Sequence, residues 1–103
     1  GVIVKEALAN GRLTDRNTAL GPAVRAALAS AHDGAASLDQ VALAAALARD
    51  FVDVVLSGAG TVAQLRSNAA AAALATSLDL DAVVSVAESP DRYWRERTAL
   101  PWN

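Results

Sequence analysis

At 103 residues and 10.5 kDa the chain is one domain at most, and a chain near this length buries roughly 60–70% of its unfolded surface. Hydrophobic residues make up 53% but aromatics only 4%, so the core must come from small side chains, alanine above all, which fill space only where backbones approach closely. A formal charge of −2 and no cysteine exclude a basic nucleic-acid surface, a disulfide and a thiolate nucleophile or ligand.

The chain opens GVIVKEAL. Val2, Ile3 and Val4 form a β-branched run that predicts a buried strand. A strand at the first residue, with no methionine before it, points to a chain that begins inside a larger unit or to a processed terminus. No leader is visible, and no apolar run approaches the ~18 residues of a membrane span. A soluble, cytoplasmic protein is the expectation.

Residues 9–22, ANGRLTDRNTALGP, are rich in turn formers and predict a long loop of the kind that often carries function. Pro22 suits a first helical position, and the helix runs on to Gly34 as its stop. Ser37 and Gln40 have capping-box spacing and open a second helix to about Arg49. Phe51 to Leu56 is a second buried-strand candidate, broken by Asp53. The turn Gly58-Ala59-Gly60 follows. Thr61 and Gln64 form another capping box, opening a third helix to about Leu74. Asp79 or Asp81 caps a shorter helix through Val83, Val84 and Val86. Ser89-Pro90-Asp91 starts a terminal helix and tail. There is no internal repeat. Strands separated by helices predict parallel pairing with a right-handed crossover.

The stretch LSGAGT at 56–61 can carry chemistry. Glycines let a ligand approach the main chain. The first amides of the next helix lack partners inside it and favour an anion. The alternative is a tight strand-to-helix turn and nothing more. Gln64 and Asn68 lie four apart on one helix face, positioned for a base edge or ribose. Lys5 is expected to pair with an acid at the strand end, and a Schiff-base role would need it desolvated. The single His32 fits a helix C-terminus and cannot assemble a histidine metal site alone. Arg92, Arg95, Glu96 and Arg97 read as a solvated helix face. Tyr93, Trp94 and Trp102 read as anchors for the tail.

These pieces, in this order, resemble the C-terminal third of an aldo-keto reductase. VIVKEALANGRLT resembles that family's seventh strand and following loop, SLDQVALAAALA its next helix, and VDVVLSGAGTVAQLRSN its eighth strand and nucleotide loop. The resemblance spans essentially the whole chain. It implies the α/β class, as the C-terminal part of a TIM-type (β/α)8 barrel. Residues 1–103 would be a single partial domain with two parallel strands and several helices.

The resemblance also implies roles. Gly58, Ala59 and Gly60 would wrap the adenosine-side phosphate of NADP or NAD. Gln64, Ser67 and Asn68 would face the adenine end. Backbone around Leu8 would meet the pyrophosphate, with Arg16 assisting. Departures are present: Lys5 stands where an aromatic residue often stacks on nicotinamide, Ala45 replaces a usual Trp, Ser57 a usual Pro, and Ser67 a usual acid. Gly58 stands where some members carry a Lys for the 2′-phosphate. The family's catalytic Asp, Tyr, Lys and His belong to the first half of the barrel, and none matches a position here. The expectation is a fragment of an NAD(P)-dependent oxidoreductase of small carbonyls, inactive alone, whose partner is the missing N-terminal half. The alternatives are a non-catalytic module that self-associates or complements another chain, and a small helical protein.

Overall fold

The computed structural model describes residues 1–33 and 36–101. Two strands and five helices occur in it: β1 (Ile3–Val4), α1 (Pro22–Ser30), α2 (Leu38–Leu47), β2 (Val54–Val55), α3 (Val62–Leu74), α4 (Leu80–Val84) and α5 (Pro90–Ala99). The strands pair in parallel, Ile3 opposite Val54 and Val4 opposite Val55. Two helices fill the connection between them. The radius of gyration is 13.3 Å, about the ~13 Å of a compact chain of 100 residues.

Local chemistry sets most helix starts. Pro22 is the first residue of α1. Gly34, its expected stop, lies outside the described residues. At α2, Ser37 and Gln40 form the expected capping box, with Gln40 Oε1 accepting from the Ser37 amide at 3.0 Å. At α3, Thr61 Oγ1 accepts from the Gln64 amide at 3.1 Å. The Gln64 side chain passes over Thr61 and takes the Gly60 amide at 2.8 Å, so the expected reciprocal box is shifted by one residue. Asp79, not Asp81, caps α4, accepting from the amides of Asp81 and Ala82. Ser89 caps α5.

The strands depart from expectation. Each is two residues long, where Val2–Val4 and Phe51–Leu56 were the expected spans. They are not buried: Ile3 is 64% exposed, Val54 46% and Phe51 66%. α2 packs on β2, and each strand has one exposed and one half-buried residue. Asp53 ends the apolar run for a visible reason: its carboxylate accepts from the Val2 amide at 2.6 Å, pinning the start of β1.

The core lies among the helices. Leu28, Leu38 and Val41 form one buried cluster, with Leu13, Leu20, Val24, Val83 and Val86 packed against it. Leu43, Ala44 and Ala71 form a second between α2 and α3. Ala44 and Ala71 are both fully buried, and side chains this small let the two helices close on each other. Gln40 Nε2 adds a 3.3 Å bond to the Ser67 carbonyl. By contrast α5 buries no residue.

Candidate functional site

A crevice of about 300 Å³ opens beyond the carboxyl ends of the two strands, where parallel sheets with helical crossovers usually bind ligands. Leu8 follows β1 and contributes one wall. Gly58 and Ala59 follow β2 and contribute another. Gln64 and Asn68 reach it from the first turns of α3, and Arg16 from the loop. Six of the eight residues expected at a nucleotide site therefore share one crevice, drawn from segments up to 60 positions apart in sequence. Gly60 and Ser67 do not line it.

The loop is fixed by its own polar groups. Thr14 is buried and donates to the Gly11 carbonyl at 2.9 Å. Asn17 Nδ2 donates to the Arg12 carbonyl at 2.7 Å. Arg25 of α1 donates to the carbonyls of Asn17 and Leu20. Gly11 sits at φ 85°, and Ala9 and Asn10 also take positive φ. This turn-rich geometry presents Thr14, Asp15 and Arg16 to the crevice.

The glycine turn behaves differently from expectation. Neither Gly58 nor Gly60 takes a positive φ, so backbone conformation does not demand glycine at either. A Cβ at Gly58 would meet nothing within 4 Å; what its absence leaves is open space on the crevice wall. The amides of residues 58–61 do not all face a ligand. Ala59 N–H donates to Ser57 Oγ at 3.3 Å and Gly60 N–H to Gln64 Oε1. The amides of Thr61, Val62 and Ala63 at the head of α3 keep no acceptor among the described residues. Asn68 Nδ2 donates to Ser57 Oγ at 2.8 Å, so the four-residue spacing of Gln64 and Asn68 braces the turn as well as facing the crevice.

Two acids were not anticipated there. Asp15 and Asp39 line the crevice with Arg16, giving two negative charges against one positive. Asp39 lies in the first turn of α2, where the helix dipole favours a carboxylate. It accepts from Ser67 Oγ at 3.1 Å, which turns Ser67 away from a direct role. An acid in a helix's first turn was a usable signal, but its approach to α3 was not. Arg16 makes no hydrogen bond or ion pair among the described residues. The ionisable side chains lining the crevice are Asp15, Arg16 and Asp39.

Other candidates fall elsewhere. Lys5 is exposed and forms no ion pair among the described residues. Its neighbour Glu6 is taken instead by Arg97 at 3.2 Å and by the Tyr93 hydroxyl at 3.0 Å. Arg97 is thus not part of a solvated face. Trp94 is 53% exposed and meets the Tyr93 ring edge-on at 5.1 Å; Trp102 lies outside the described residues. His32 Nδ1 is buried and has no hydrogen-bond partner among the described residues. Among the described residues no group of three or more His, Cys, Asp or Glu is placed to hold a metal, and no helix is long and apolar enough to cross a membrane.

No family model matches the chain, and comparison with curated proteins and with solved structures finds no match either.

Proposed function

We propose that this chain supplies the last two strand-helix units and the helical tail of an aldo-keto reductase barrel, with part of the NAD or NADP site and none of the groups that move hydride. The parent would reduce small carbonyl compounds in the cytoplasm, in line with a chain that uses no cysteine. One observation carries the reading. Leu8 and the Gly58-Ala59 pair, each just past the end of one of two parallel strands, wall a single crevice at the head of a helix. The residues fit one end of a dinucleotide. Arg16 would meet phosphate oxygens beside the Cβ-free wall at Gly58, with the first amides of α3 close behind it, against the opposing charge of Asp15 and Asp39. The volume lies at the bottom of the ~300–1,000 Å³ range of small-molecule sites, so the remainder of a dinucleotide needs walls from the other half of the barrel. The cofactor would supply hydride; this chain would only bind and orient it.

Titrating the ¹⁵N-labelled chain with NADP, NAD and ADP-ribose tests this. Shifts confined to residues 8, 14–16, 58–64 and 68 support it. Shifts elsewhere, or none at millimolar nucleotide, overturn it.

The exposed strands favour a second reading, a module that self-associates or complements another chain. Both outer edges of the sheet are unpaired. Leu56, Val62 and Leu65 near β2 are each more than half exposed, an apolar surface of the kind that associates. The two readings meet if the complementing chain is the first half of the barrel.

A further inference from the structure

A second cavity, also about 300 Å³, opens on the far side of the core, between the 9–20 loop, α1 and α4. It shares no residue with the crevice. Its walls are aliphatic: Leu13, Leu20, Val24, Leu28, Val83 and Val86, the same side chains that pack on the first core cluster. The gap follows from composition. The loop and the segment after α4 each add a small side chain to the wall, Ala9 and Ala87, which leave space between the larger ones. Pockets lined mainly by aliphatic side chains favour apolar ligand groups.

The mouth is charged. Arg12 stands there with Glu88, paired at 2.8 Å. Arg49, just past the end of α2, completes the rim. Arg49 is exposed and its guanidinium has no partner among the described residues. Arg12 and Arg92 are balanced by Glu88 and Glu96 in one ion-pair cluster, so the uncompensated charge at the mouth is on Arg49. We propose that this cavity binds a straight-chain monocarboxylate, its alkyl chain inserted between α1 and α4 and its carboxylate on Arg49. The walls suit an aliphatic tail, and a guanidinium matches a carboxylate in a two-point contact. The site is independent of the nucleotide reading.

The test is titration of the whole chain with butanoate, hexanoate and octanoate below their micelle concentrations, and with the matching 1-alkanols, followed by ¹⁵N shifts. Affinity should rise about four-fold per added CH₂, the fold-change equivalent to ~0.8 kcal/mol per buried methylene, with shifts at Val24, Leu28 and Val83. Each acid should bind about ten-fold tighter than its alcohol, as expected for a hydrogen bond to a charged group. Arg49→Gln should erase that difference and leave the alcohol's affinity unchanged. Arg49 is exposed, so the variant is expected to fold. Affinity independent of chain length, alcohols binding as well as acids to the native chain, shifts outside the cavity, or an Arg49→Gln variant that still prefers the acid would each overturn the assignment.

Discussion

Glu6 and Arg97, 91 positions apart, meet in a two-point contact: Arg97 Nε donates to one carboxylate oxygen and Nη2 to the other, both at 3.2 Å. The Tyr93 hydroxyl donates to the same carboxylate at 3.0 Å. Close by, Arg12 bonds Glu88, lies within 3.6 Å of Glu96, and stands 5.7 Å from the centre of the Tyr93 ring. Since α5 buries no residue, this polar network is what attaches it at the end of β1.

The attachment should therefore respond to pH and salt. The Arg97 contact first, and the Tyr93 hydroxyl second, hold the Glu6 carboxyl below its ordinary value near 4.5. A carboxyl depressed in the folded state adds stability that is complete above its unfolded pKa and is lost as pH falls through the lower folded value. The protection factors of α5 amides, taken against the intrinsic exchange rate at each pH, should be high at pH 6 and fall below about pH 4.5, with Glu6→Gln giving low protection at both. Molar salt should weaken the attachment too. An α5 protected equally in Glu6→Gln and the native chain would refute this account.

Gly58→Ala separates fold from ligand. The backbone there is not left-handed and a Cβ has room. The melting free energy should stay within ~0.5 kcal/mol, while nucleotide affinity falls because the methyl occupies the crevice wall. Gly11→Ala is the contrast. Gly11 sits at φ 85°, so the same change should cost about 1 kcal/mol or more in a denaturant titration.

The α2–α3 interface should dominate stability. Leu43 is 4% exposed and packs with Ala44 and Ala71. Truncating it to alanine should cost about 2–5 kcal/mol, a large part of the ~5–15 kcal/mol that holds a domain folded. Leu65, on the outer face of α3 and 57% exposed, should lose no more than ~0.5 kcal/mol on the same change. Urea unfolding of the two variants reads this directly.

The open sheet should make the chain associate. With Ile3 64% exposed on β1 and only two strands in the sheet, sedimentation velocity should show a concentration-dependent oligomer, and Ile3→Lys should reduce it by placing a charge on the edge. A native chain that sediments as a monomer at millimolar concentration would rule out this surface as sticky.

What sequence alone determined here is the set of helices and their starts. Pro22, Ser37, Thr61, Asp79 and Ser89 begin or cap helices by chemistry confined to three or four neighbouring residues, so short spacing was enough to read them. The turn after β2 was legible for the same reason: Gly58, Ala59 and Gly60 stand between β2 and the Thr61 cap of α3. Tertiary structure decided the rest. The length and exposure of β1 and β2 depend on what packs on the sheet, which no local pattern of Val and Ile encodes. Asp39 enters the crevice, and Glu6 captures Arg97, only because packing of α2 on α3 and of α5 on the end of β1 brings distant segments within hydrogen-bond reach. A charge's partner is fixed by distance in space, which these small, alanine-rich helices set by how closely they approach.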